Sequence, residues 1–260
     1  LIAGNNAGGS YDPATGTACN NVILGTCAGF SNTAGDNNIF LGVGAGSSAT
    51  NQSENIFLGT CAGFSNTDGS CNISIGLKAA GITTTAGFEN IFIGSCAGIC
   101  LRKIPQFTPA NSVENILIGD QTGRCLAGNQ NTIIGSLSVE GQNFTGCYNV
   151  FLGARVGRNA TGGSHNLSLG YGSAGGMSDG ERNFFGGYYA GYCNAGGNDN
   201  IFMGRYAGYC NTTGSCNVFL GNKTAEHSCT GSKNIAIGCD VQFPIPNGSC
   251  QLAIGNGTDR

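Results

Sequence analysis

Charge is scarce in this chain. Only 10% of its 260 residues are charged, and the net charge is −3 with the basic residues scattered. Such a surface gives a nucleic acid or an anionic membrane nothing to hold. A surface built instead from Asn, Ser, Thr and Gly is adhesive unless it is assembled or coated. Long apolar runs are missing too, so no segment reaches the length of a membrane span. Histidine occurs only at His165 and His227, and there is no Cys-x-x-Cys pair. The nearest spacings, Cys96/Cys100 and Cys210/Cys216, lack a histidine at ligand distance in sequence. Metal therefore yields to disulfides as the reading of the fourteen cysteines, an even set that points to an oxidising compartment. Acids scattered singly, such as Asp36, Glu54, Asp68 and Glu89, form no catalytic cluster, and two isolated histidines support no nucleophile–base pair. The expectation is a non-enzyme with no cofactor.

What the chain has instead is a phrase of Asn, three largely apolar residues and Gly. It runs Asn21-Val-Ile-Leu-Gly25, Asn38-Ile-Phe-Leu-Gly42, Asn55-Ile-Phe-Leu-Gly59 and Asn72-Ile-Ser-Ile-Gly76, then recurs from Asn90, Asn115, Asn131, Asn149, Asn166, Asn183, Asn200, Asn217 and Asn234. A variant, Gln251-Leu-Ala-Ile-Gly255, closes the series. The spacings are 17, 17, 17, 18, 25, 16, 18 and then 17 six times. A fixed short period means that one small unit is stacked many times. Three apolar residues between turn formers are too few for a helix and suit short strands. The 17-residue period predicts an all-β fold, a β-solenoid of about 14 coils forming one elongated domain over 1–260, with two short strands per coil. The period breaks at insertions over about 7–16 and 101–112, expected to project as loops that cap or dock a neighbour.

Alternation along a strand puts the first and third apolar residues on one face and the middle one on the other. The almost uniformly aliphatic first and third positions, such as Ile201 and Met203, suit an interior. The middle position holds Phe40, Phe57, Phe92, Phe151, Phe185, Phe202 and Phe219. A coil wide enough to enclose these rings is one arrangement. The expectation taken is the other, a Phe stripe on the outside that forms a homo-oligomer interface. Each phrase is followed by a small-residue step, as in Cys27-Ala-Gly29-Phe30, Tyr189-Ala-Gly191-Tyr192 and Tyr206-Ala-Gly208-Tyr209. There the backbone can bend tightly and the aromatic can stack on its equivalent one coil away. The leading asparagines are expected to form an amide ladder that satisfies turn backbone groups.

Lys233-Asn-Ile-Ala-Ile-Gly238 and Gln251-Leu-Ala-Ile-Gly255 resemble the head repeats of trimeric autotransporter adhesins. The stretch Asn200-Ile-Phe-Met-Gly204-Arg-Tyr-Ala-Gly208-Tyr-Cys-Asn-Thr-Thr-Gly214 is similar to the longer repeats of tail-fibre and secreted fibrous proteins. The first resemblance implies a trimeric β-roll. The chain departs from it in its longer repeat, its many cysteines and the lack of a recognisable stalk or anchor, which favours a secreted fibre protein.

Cys193 and Cys210 share a phase one coil apart, as do Cys100 and Cys125 across the long insertion, which makes both candidate disulfides. Cys61 with Cys71 and Cys239 with Cys250 suggest a second type of bridge across a coil. Asn-x-Ser/Thr sequons outside the ladder fall at Asn51, Asn143, Asn159, Asn211, Asn222, Asn247 and Asn256, expected to carry covalent N-glycans. Those at Asn72 and Asn166 coincide with ladder asparagines and are expected to be buried. Together these readings predict an extracellular structural protein whose partners are copies of itself, packed end to end and laterally into a filament or appendage. The alternatives are an adhesin or receptor-binding fibre with a β-roll head and, more weakly, a polysaccharide-acting β-helix enzyme.

Overall fold

A computed structural model describes residues 1–11, 18–67, 69–81, 87–99, 113–141 and 143–257. The insertion over 101–112, residues 12–16 of that over 7–16, and Cys100 lie outside them. The chain divides into two compact units, Leu1–Gln130 and Asn131–Arg260.

In the first unit, β1 (Ile2–Ala3), β2 (Val22–Leu24), β3 (Ile39–Leu41), β4 (Ile56–Leu58), β5 (Ile73–Ile75), β6 (Ile91–Ile93) and β7 (Ile116–Ile118) pair in parallel, each with the next. The second contains β8 (Thr132–Ile134), β9 (Val150–Leu152), β10 (Leu167–Leu169), β11 (Phe184–Gly186), β12 (Ile201–Met203), β13 (Val218–Leu220), β14 (Ile235–Ile237) and β15 (Leu252–Ile254), paired the same way. Register is the repeat itself: Phe202 lies opposite Phe185 and Phe219. This is the β-solenoid that the period predicts, with a difference. Each coil contributes one short strand, not two. The rest of the coil is turns, yet its backbone still bonds to the adjacent coil, as in Gly191 N–H to Ala207 O (3.0 Å), Cys193 N–H to Tyr209 O (3.0 Å) and Ala195 N–H to Thr212 O (3.0 Å). Pairing between coils thus satisfies backbone groups that a two-strand coil would have satisfied by ladders.

The strand faces are the reverse of the expected assignment. Phe40, Phe57, Phe151, Phe185, Phe202 and Phe219 are 0–1% exposed and Phe92 is 7% exposed, all inside the coil. They stack through the core, Phe202 on Phe219 at 4.6 Å and 3°, and Phe40 on Phe57 at 5.2 Å and 12°. They therefore form no oligomer interface. The interior is built for them: a Cβ added to Gly191 would stand 2.5 Å from the Phe185 ring, and one added to Gly208 would stand 2.6 Å from that of Phe202. The buried alanines of the same step, Ala190 and Ala207, complete the opposite wall. Coils without the ring show bulk elsewhere: β10 carries Ser168 where Met177 is fully buried, and β14 carries Ala236 where Phe243 reaches Phe219 at 5.7 Å.

The asparagine ladder forms. Asn183 Oδ1 accepts the backbone N–H of Asn200 (2.9 Å), Asn200 Oδ1 accepts that of Asn217 (2.9 Å), and Asn217 Oδ1 accepts that of Asn234 (2.9 Å). Each amide nitrogen donates to a turn carbonyl of its own coil, Asn200 to Gly214 O at 2.8 Å and Asn217 to Gly231 O at 2.9 Å. At the other end of each phrase only glycine fits. Gly59 has φ +132°, and a Cβ there would stand 2.5 Å from the carbonyl oxygen of Gly76 in the next coil.

Candidate assembly face and aromatic patch

Because the middle residue turns inward, the first and third residues of the strands from β2 on form, within each unit, two columns on the outer face of the sheet. In the second unit these include Ile134, Val150, Leu152, Leu167, Ile201, Met203, Ile235 and Ile237, all exposed. From β2 to β15 the outward positions are apolar throughout except for Thr132 and Gly186. Charge sits at the margin, in the column immediately before the ladder asparagines, where the residues adopt left-handed backbone. Neighbours in that column pair along the stack. Arg182 donates to both carboxylate oxygens of Asp199 (2.8 and 3.2 Å), Gln130 donates to Glu114 (2.6 Å), and the Cys71 thiol donates to Glu54 (3.2 Å). Tyr148 stacks on His165 at 4.9 Å. The Arg182 hydrogen bond holds the Asp199 carboxyl below the usual range.

The cysteine pairings are not formed. Cys61, Cys71, Cys193, Cys210, Cys239 and Cys250 are free thiols, and the partner expected for Cys125, Cys100, lies outside the described residues. In-register parallel neighbours keep their Cβ atoms about one strand spacing apart, ~4.8 Å, whereas a disulfide draws them to ~3.8 Å. That separates Cys193 from Cys210. Cys61 and Cys71 fail for another reason: one follows β4 and the other precedes β5, at opposite ends of two paired strands. Cys239 and Cys250 flank β14 and β15 in the same way. Burial pushes the Cys193 and Cys210 thiols up, and the Cys229 thiol adds to both effects. Among the described residues no three His, Cys, Asp or Glu side chains are placed to hold a metal ion.

Of the sequon asparagines, Asn51, Asn159, Asn222, Asn247 and Asn256 are exposed and Asn143 is half-buried. Asn211 is not available. It is fully buried, with Nδ2 donating to Asn194 Oδ1 (2.6 Å) and Gly214 O (3.0 Å), because it belongs to a second asparagine ladder inside the turn. Asn72 and Asn166 are buried in the main ladder.

One feature escaped the sequence reading, which noted only pairwise stacking after the Ala-Gly step. The turns following β10, β11 and β12 gather Tyr171, Tyr188, Tyr189, Tyr192, Tyr206 and Tyr209 into one patch. Like sits on like along the stack: Tyr171 on Tyr188 (5.4 Å, 12°), Tyr189 on Tyr206 (5.9 Å, 12°) and Tyr192 on Tyr209 (5.3 Å, 5°). Edge contacts join the columns, Tyr188 to Tyr189 at 4.5 Å and Tyr189 to Tyr192 at 5.0 Å. Arg205 lies over Tyr206 at 4.9 Å, and Arg155 donates to the Tyr171 hydroxyl at 2.8 Å. Burial pushes the Tyr189 and Tyr209 phenols up. The signal was present in sequence as tyrosines at three phases of consecutive repeats.

Compared with known family models, curated proteins and solved structures, the chain has no significant match.

Proposed function

We propose that the chain is an extracellular structural protein that associates laterally with copies of itself, through the aliphatic outer face of its sheet, into a filament or appendage. The observation that carries this reading is the pair of uncharged aliphatic columns on a face flanked by polar and ionic pairs. Ile201, Met203, Ile235 and Ile237 are 37–44% exposed, and water gains nothing from them. A second copy of the chain suits the face because it presents the same residues at the same axial spacing, so ridges of one sheet repeat in step with hollows of the other. The fourteen cysteines, the low charge and the five exposed sequons are consistent with secretion. The resemblance of the repeats to those of fibrous proteins points the same way.

The test is sedimentation velocity and electron microscopy of the native chain beside an Ile201→Lys/Ile235→Lys variant, under non-reducing conditions. The native chain is expected to form large laterally associated species, and the variant to sediment as a monomer with an unchanged far-ultraviolet spectrum. A native chain that remains monomeric at high concentration overturns the reading. Small discrete oligomers that never extend would instead favour an adhesin-like fibre.

A further inference from the structure

In a repeat protein each coil is a control for the others. The residue directly after the phrase glycine is Thr26, Val43, Thr60 and Ser95 in other coils, but Tyr171 and Tyr188 here. The following position is Cys27, Gly44, Cys61 and Lys78 elsewhere, but Tyr189 and Tyr206 here. The fold is built without tyrosine at these phases, so their concentration in three successive coils is a local addition. Six of the chain's eight tyrosines lie in this patch.

The geometry limits what the patch can do. Near-parallel stacking spends one face of each ring on its partner in the adjacent coil. Closely packed phenols have a chemistry of their own. One-electron oxidation of a phenol, with loss of its proton, leaves a radical whose unpaired electron resides partly on the ring carbons ortho to oxygen. Two such radicals couple through those carbons. Contacts of 4.5–5.9 Å join Tyr171, Tyr188, Tyr189, Tyr192, Tyr206 and Tyr209 into one π-network, so oxidation at any member reaches the others. Tyr188 is the most exposed of the six, at 43%, and its stacked neighbour Tyr171 is held at the hydroxyl by Arg155.

We propose that this patch is an oxidative cross-linking site, at which Tyr171 and Tyr188 are joined by a carbon–carbon bond that staples adjacent coils. The step forms one C–C bond and removes two hydrogen atoms in total, one phenolic hydrogen from each ring during oxidation. After coupling, the two ring C–H protons transfer to oxygen and restore both phenols. The two electrons and two protons pass to hydrogen peroxide through a peroxidase, giving two waters. The inference is independent of the lateral face.

The test treats dilute native protein with a peroxidase and hydrogen peroxide, then digests it and analyses the peptides by mass spectrometry. Expected is a product of monomer mass less two hydrogens, containing a Tyr171–Tyr188 cross-linked peptide and the blue fluorescence of coupled tyrosine. Its yield should exceed that of the urea-unfolded chain several-fold, and Tyr11 and Tyr148 should remain unmodified. Tyr188→Phe retains the ring and its packing, and should abolish this peptide without changing the far-ultraviolet spectrum. Cys193 and Cys210, next in sequence to Tyr192 and Tyr209, can reduce a tyrosyl radical, so the measurement is repeated on a Cys193→Ser/Cys210→Ser background. Absence of the cross-link in both backgrounds, coupling only between molecules, or equal reaction at Tyr148 would overturn the proposal.

Discussion

Asn200 is bonded twice to Asn183: its backbone N–H and its Nδ2 both reach the Asn183 Oδ1, at 2.9 and 3.1 Å. A further bond from Nδ2 ties the Gly214 carbonyl, and its own Oδ1 receives Asn217 N–H. One side chain therefore couples three successive coils and fixes a turn.

Replacing Asn200 by Ala leaves Asn217 N–H without its partner in a fully buried setting, while Gly214 O keeps only the bond from Asn211 Nδ2. The orphaned donor costs about 1–3 kcal/mol, and the bonds lost to Gly214 O and Asn183 Oδ1 add about 0.5–1.5 kcal/mol each, so a loss of roughly 2–6 kcal/mol is expected by the same reckoning. Urea unfolding followed by circular dichroism would measure it. Asn222→Ala, at an exposed turn, is the matched control and should change stability by less than about 0.5 kcal/mol. Comparable losses for the two would contradict the ladder's role.

The two faces of the strand make the second prediction. Phe202→Ala empties a fully buried site between Phe185 and Phe219 and should cost about 3–5 kcal/mol. Ile201→Thr, one residue away on the outer face, should leave the stability of the dissociated chain within about 1 kcal/mol of the native value. Thermal unfolding of both variants in dilute solution distinguishes this arrangement from one in which the aliphatic columns are the core. In that case the sensitivities would be exchanged.

That exchange is where sequence reasoning went astray, and the cause is physical. A strand of three residues reports alternation but not its sign, and here both faces are apolar. The sign was written in the smaller residues. Rings that fill a narrow coil need glycine and alanine opposite them, which is what Gly191, Ala190, Gly208 and Ala207 supply. Ser74 and Ser168 at the middle position also sit oddly in a hydrophobic interface stripe. The period, the short strands and the asparagine ladder were legible because they depend on spacing along the chain. Cysteine pairing was not, since equal phase brings Cα atoms near without turning Cβ atoms toward each other. Asn211 looked like any turn sequon, and its burial follows from a second ladder that joins it to Asn194 one repeat earlier.

Cys193 and Cys210 make the third prediction. Burial is the largest influence on each, and it disfavours the thiolate. Their alkylation in the native protein should therefore rise at a higher pH than in the urea-unfolded chain, as read by mass spectrometry of iodoacetamide-labelled peptides. The sign carries over to stability. Both folded-state values lie above the unfolded ones, so the contribution of these thiols is fully present below the ordinary thiol pKa and is lost as pH rises through the raised values. Cys193→Ala/Cys210→Ala should accordingly flatten the alkaline side of the stability profile while leaving its neutral part similar in shape. An alkaline decline identical to that of the native chain would mean that other groups, such as the raised Tyr189 and Tyr209 phenols, dominate the profile.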